Sequence, residues 1–311
     1  MSEYFEGPMG WINDPAEVQR TVALITARQG LPAYFVLGGS APKVADDATV
    51  LFWDAEQKVL NQILQSWNQG SVGSCVSFGF GRAAQDLMLI EIAAGEPEQW
   101  PGAQVATEPI YGGSRVEVGG GRINGDGSIG AWAAEWVRRW GILLRQRYDS
   151  IDLTSYSESR CRQWGQTGCP DALEPLAKKH PIKTVGLVQS ATECWDAIGN
   201  GYPVPVCSDQ GFTSRLVDGF CEPSGSWAHC MTIRGRFVHA TRGKCFVIQN
   251  SWGGYLSGEP KAKDIHGREF QLPQGCFCTT ANVVDRMMRQ RDSFALSSFD
   301  GFPARKLDWI I

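Results

Sequence analysis

Residues Cys75 to Ala94 form the pattern that most restricts the fold, because they are apolar on nearly every side and run without a break to Gly95. A surface helix carries one apolar stripe, whereas a helix apolar all round needs neighbours on every side. About five turns of such a helix require a large surrounding body, which 311 residues at 43% hydrophobic content supply. Gly79 and Gly81 weaken the helix locally and are expected where a neighbour packs close. Ahead of it stands Asn68-Gln69-Gly70-Ser71-Val72-Gly73-Ser74. This turn sets the Cys75 thiol at the first turn of the helix, where unpaired N–H groups and the helix dipole favour a thiolate. Its small residues let a substrate backbone approach. A cysteine is more often a small buried hydrophobe, so this stretch alone does not make Cys75 a nucleophile.

The remaining elements follow from period and punctuation. Asp14, Pro15 and Glu17 start a helix with capping-box character, with Val18, Val22 and Ile25 on one face until Gly30. Leu31 to Leu37 reads as a short strand, and residues 95–127, rich in Gly and Pro, as long loops. A helix over about Ile129 to Trp140 carries Trp132, Trp136 and Trp140 as a core stripe. Asp149 to Lys183 reads as irregular, and Ser190 with Glu193 starts a further helix. Pro203 to Cys207, Cys230 to Val238 and Cys245 to Gln249 are strand-like. Helices first and strands later predict an α+β protein with a helical lobe and a sheet lobe. The expected division is a 1–49 extension, a 50–290 body split near 185, and a 291–311 tail packed back on it.

A net charge of -4 excludes nucleic acid and anionic membrane as main partners. No apolar run is long enough to span a bilayer. Met1-Ser2-Glu3-Tyr4-Phe5-Glu6 is acidic and lacks the order of a secretory signal, so the expected address is cytoplasmic. Ten cysteines spread over this length do not form a small disulfide scaffold. Cys276-Phe277-Cys278 has no second pair at zinc-like spacing, so neither a metal nor another cofactor is expected.

Two features on the strand-rich half change the reading of Cys75. His229 opens one strand pattern and Asn250 ends the next, in Gln249-Asn250-Ser251-Trp252-Gly253. Adjacent antiparallel strands bring such ends together, where the Asn amide oxygen can accept one ring N–H and leave the other nitrogen for a thiol. His180, His239 and His266 lack such partners and read as surface or structural. Taken in order, Gln69-Gly70-x-x-Gly73-Ser74-Cys75, His229 and Asn250-Ser251-Trp252-Gly253 resemble the papain-like cysteine proteases. Trp140-Gly141-Ile142, the stretch Gln189 to Cys207 and Gln274-Gly275-Cys276-Phe277 extend the resemblance over residues 50–285.

The resemblance implies a two-lobed papain-like fold with the site in its cleft, and cysteine-type endopeptidase activity on a peptide or protein substrate. Cys75 would be the nucleophile, His229 its acid and base, and Asn250 the orienting residue shielded by Trp252. The oxyanion hole would be the Gln69 amide and the Cys75 N–H, with the thiol held as thiolate beside imidazolium. Substrate would be lined by Asp126, Gly127, Val206 and Ala228, favouring a hydrophobic side chain, and Cys221 would bridge to Cys276.

This sequence also departs from the family. Val72 and Val76 stand where it places Cys and Trp, and no cysteine lies between Cys75 and Cys161. The aromatic that follows the Asn-Ser-Trp-Gly box in the family is not clear in Gly254-Tyr255-Leu256-Ser257. With neither a signal peptide nor a long prodomain in view, the expectation is a bacterial or phage-encoded member. Two other readings stand beside the peptidase. One is a papain-fold assembly component, virion-associated, with weak or lost catalysis and a partner on the 1–49 extension. The other is a peptide ligase using the same triad.

Overall fold

The computed structural model describes residues 7–96, 104–180 and 182–307. The acidic start at 1–6, part of the expected loop region (97–103) and the end of the tail (308–311) lie outside them. Helices α1 (Pro15–Gln29), α2 (Trp53–Leu60), α3 (Cys75–Ala94), α4 (Glu108–Gly113), α5 (Gly130–Arg139) and α6 (Glu158–Thr167) precede most of the strands. A five-stranded antiparallel sheet runs Val50–Leu51, Pro223–His239, Gly243–Gln249, Cys276–Thr280, with Val204–Phe212 also paired to the long strand. The architecture is α+β, as the sequence predicts.

α3 is buried along almost its whole length, and Gly95 ends it in the left-handed region at φ 69°. It packs against α2, α4 and α5 and against the strands Pro223–His239 and Val204–Phe212. The close approach expected at Gly79 is real, since a Cβ there would lie 2.6 Å from the Cys230 sulfur. Asp14 caps α1 by accepting from the N–H groups of Ala16 and Glu17. Trp132 and Trp136 are buried core, and Trp140 stacks on Trp136 at 4.8 Å.

Four expectations change. Leu31 to Leu37 is not a strand. Only Ala33 bridges to Leu187, and the chain then turns, with Leu37 N–H donating to Ala33 C=O. Residues 95–127 hold α4 and a π-helical turn at Ser114–Val118. There Pro109 fits the helix start, and Gly112 and Gly113 let Trp164 and Trp136 lie directly on the backbone. The stretch 149–183 contains α6, whose amino end is capped by the Ser157 hydroxyl. Cys221 and Cys276 do not bridge; all ten cysteines are free and buried. The end of the chain adds the strand Phe294–Ser297, paired with Thr184–Leu187.

Val72 is buried with Tyr111 and Cys161. Arg115 gathers the carbonyls of Ile123, Gly125, Gly127 and Gly165, fixing the loop ahead of α5. Under the sheet, Arg234 is fully buried and donates to Asp86 at 2.9 and 2.8 Å, to Glu56 at 2.5 Å and to the Gln249 amide at 2.9 Å. Arg82 completes the cluster with contacts to Glu56 and Asp86. Breaking such a cluster strands buried charge, so Arg234→Ala should cost about 3–5 kcal/mol, read as a fall in the urea midpoint.

Candidate active site

Gly70, at φ 64°, turns the chain toward α3, and Asp126 accepts the Gly73 N–H at 2.9 Å. Cys75 is the first residue of the helix and is completely buried. Gln69 is fixed from behind: its N–H donates to the Ser251 carbonyl at 3.0 Å, and its Oε1 accepts from the Ser251 hydroxyl at 2.7 Å. Its Nε2 donates to the Val72 carbonyl at 2.9 Å and to the Pro8 carbonyl at 3.1 Å.

Strand register explains the His–Asn pair. Thr232 lies opposite Gln249, so one step further Asn250 falls diagonal to His229 on the same face. His229 Nε2 meets Asn250 Oδ1 at 2.7 Å, and Asn250 Oδ1 also accepts the Ser251 N–H at 2.7 Å. His229 Nδ1 makes no hydrogen bond. The Trp252 ring lies 4.5 Å from the imidazole, with Trp227 4.8 Å and Tyr255 5.3 Å from Trp252. These rings exclude water from the His–Asn bond, and Tyr255 supplies an aromatic after the Asn-Ser-Trp-Gly segment.

A strap made of the chain's own residues 7–12 covers this site. Gly7 lies on the Trp252 ring, where a Cβ would come within 2.5 Å. The Pro8 carbonyl accepts from both Gln69 Nε2 and Trp252 Nε1, each at 3.1 Å. Gly10 and Trp11 donate their N–H groups to the Ala228 carbonyl at 3.1 and 3.0 Å. Ser128 accepts from Ile12 N–H at 2.9 Å and donates to the Gly10 carbonyl at 2.8 Å. Trp11 is buried, and its indole N–H donates to Asp292 at 2.8 Å.

In structure the chain is similar to procathepsin L 3 of the Tenebrio molitor larval midgut (TM-score 0.51, 15% identity, covering 92% of this chain and 94% of that one). It is also similar to the ragweed pollen cysteine protease Amb a 11 in its proform (TM-score 0.56, 16% identity, 92% and 70%). The fold is papain-like. No family model matches the chain, and no curated protein matches it in sequence.

Within this papain-like fold, His229 contacts Asn250 and Trp252, Gln69 bonds to Ser251 between them, and Cys75 heads the helix packed on the strand of His229. Ala228 offers its carbonyl to the strap, and Ile12 packs on Gly127. Asp126 holds the Gly73 turn, and Val206 is buried in its strand opposite Met231. Pro8, Trp11, Ser128 and Asp292 also line this region and carry no mark of it in the sequence. Nothing local in Gly7-Pro8-Met9-Gly10-Trp11 marks it as cleft-bound, although its small residues and lone indole suit a buried extended segment.

Among the described residues, no group of three or more His, Cys, Asp or Glu could hold a metal, and no helix is long and apolar enough to cross a membrane.

Burial also bears on the expected protonation. Burial pushes the Cys75 thiol well above its ordinary range. Burial lowers His229 to about 4, against the Asn250 hydrogen bond. In the closed form burial thus disfavours the charged form of each group, thiolate and imidazolium alike. Burial raises Asp292 from 3.8 to about 7, against donation from Trp11, Gly130 and Ala131. The folded protein thus keeps a proton on Asp292 that the unfolded chain releases above pH 3.8. Its contribution to stability is full below that pH and is lost as pH rises to 7. The melting temperature of Asp292→Asn should gain on that of the parent as pH rises from 4 to 7, measured in a series of thermal scans.

Proposed function

We propose that this chain is a thiol-dependent peptidase whose site is closed by its own residues 7–12. The observation that carries the reading is the His229 Nε2–Asn250 Oδ1 bond at 2.7 Å, which leaves Nδ1 without a hydrogen-bond partner on a strand packed against α3, the helix that Cys75 heads. When the strap leaves, water and peptide replace it and the desolvation of the pair is relieved. The Cys75 proton then passes to His229 Nδ1, and the thiolate attacks a peptide carbonyl carbon. The new oxyanion sits between the Cys75 N–H and Gln69 Nε2, which already holds a peptide carbonyl in the closed form. The C–N bond breaks as His229 returns the proton to the leaving amine. Water, deprotonated by His229, attacks the thioester and releases the carboxylic acid and Cys75.

Cleavage of an unfolded protein by the strap-weakened Gly10→Ala chain, followed by mass spectrometry, tests this reading. Added Gln69→Ala should lower kcat by about 10²- to 10³-fold, the range for loss of one oxyanion donor. No cleavage by Gly10→Ala, with Cys75 labelling no faster than the other thiols, would remove the peptidase reading. Amide formation in the presence of an added amine would assign the acyl group to transfer instead.

A further inference from the structure

Further along α3 from Cys75, a small cavity lies where the helix meets the sheet. Gly79 and Arg82 of α3, Thr232, Gln249, Asn250 and Trp67 are on its wall, and it has about 10 Å³ open to the centre of a water-sized occupant, room for one. Arg82 is only 5% exposed. Its Nη2 faces Glu56 and Asp86. Its Nε and Nη1 donate to nothing, and neither does the indole N–H of Trp67. The guanidinium carbon lies 5.7 Å from the centre of the Trp67 ring, so these spare donors are neighbours. The acceptors on the wall are engaged. Gln249 Oε1 takes an N–H of Arg234, and Asn250 Oδ1 is shared by His229 Nε2 and the Ser251 N–H. The Gly79 carbonyl takes the Thr232 hydroxyl.

Charge points the same way as geometry. Asp86 and Glu56 are already taken up by Arg234, which donates to both. Against the desolvation of burial, Asp86 raises Arg234 above its ordinary range, whereas burial, with Arg234 beside it, lowers Arg82 to about 10. Arg82 is thus the less compensated of the two cations, and it stays charged at neutral pH. Buried donors left unpaired on a fixed charge are unfavourable. We propose that this cavity binds one monatomic anion, chloride or bromide, held by Arg82 and Trp67. Water suits it less, because water would accept from these donors and find the wall's side-chain acceptors already engaged when it donates in turn. A halide only accepts. Asn250 is on the same wall, so the anion also braces the residue that holds His229. The proposal does not rest on the peptidase reading, since it is read from stability and not from turnover.

The test compares sodium chloride with sodium gluconate at equal ionic strength, on the full chain freed of halide by dialysis. Gluconate carries the same charge and is too large for the cavity. Chloride at about ten times its dissociation constant should favour the folded state about 10-fold, a saturating rise in melting temperature of about 2–4 °C. Trp67→Phe keeps the ring and removes the indole N–H. Arg82→Lys keeps the charge and removes Nε and Nη1. Each should shrink the rise, with circular dichroism confirming that the variant is folded, and if Arg82→Lys does not fold then Trp67→Phe decides. Bromide soaked into crystals of the parent should give an anomalous peak against Arg82 in the cavity. Equal melting temperatures in chloride and gluconate, a chloride response unchanged by Trp67→Phe, or bromide peaks on the surface alone would each overturn the proposal.

Discussion

Gly10→Ala is expected to uncover the site and raise the rate at which Cys75 reacts with iodoacetamide by about 5- to 150-fold. The reason is steric. A Cβ at Gly10 would overlap the backbone carbonyl of Gly73, the residue two before the nucleophile. Gly73 cannot retreat easily, since its N–H is held by Asp126 and its own Cα faces the Met9 carbonyl. Overpacking of this kind costs about 1–3 kcal/mol, which moves an open–closed equilibrium by the stated factor. The strap would yield rather than the core, because its hold consists of a few main-chain bonds and one indole. Rehydration of the thiol and of His229 adds to the rate, since burial disfavours the charged form of each in the closed form. Alkylation of the two proteins near pH 7, with the modified residue located by mass spectrometry, gives the ratio.

In the Gly10→Ala background, His229→Ala should lower peptide cleavage by on the order of 10⁴- to 10⁶-fold, as for removal of a member of a catalytic unit. In the proposed mechanism His229 does three things: it takes the thiol proton, protonates the leaving amine and activates water. Its Nε2 is committed to Asn250 and its Nδ1 is not, so no neighbouring group replaces it. Asn250→Ala should be milder, because the ring stays packed on Trp252 and loses only its orientation. Turnover of an unfolded protein by the three chains gives the order.

The helix of Cys75–Ala94 and the strands carrying His229 and Asn250 were legible because local pattern and tertiary demand agree there. An apolar run closed by glycine can only be central, and a histidine and an asparagine at neighbouring strand ends meet by register. The parts misread are those where a local signal is overruled. Leu31 to Leu37 has strand composition, but Tyr34 is pulled into the core while Phe35 and Val36 stay exposed. Glycines at 112 and 113 read as loop, yet they serve a short helix lying against tryptophans. The strap was not legible because its hold is mostly main-chain hydrogen bonding, which no residue type encodes. Asp292 could not be placed from sequence either, since its partners lie 162 and 281 residues away.

In the proposed reading Cys75 is a competent nucleophile hidden by residues 7–12. Competition labelling with a peptidyl epoxide near pH 6, followed by tandem mass spectrometry of the parent and Gly10→Ala chains, tests it directly. Slow labelling is expected in the parent, and rapid labelling confined to Cys75 in Gly10→Ala, abolished when His229 is also replaced by alanine. Labelling of Cys75 at the same rate in both chains, or no faster than the other nine thiols once the strap is weakened, would contradict it.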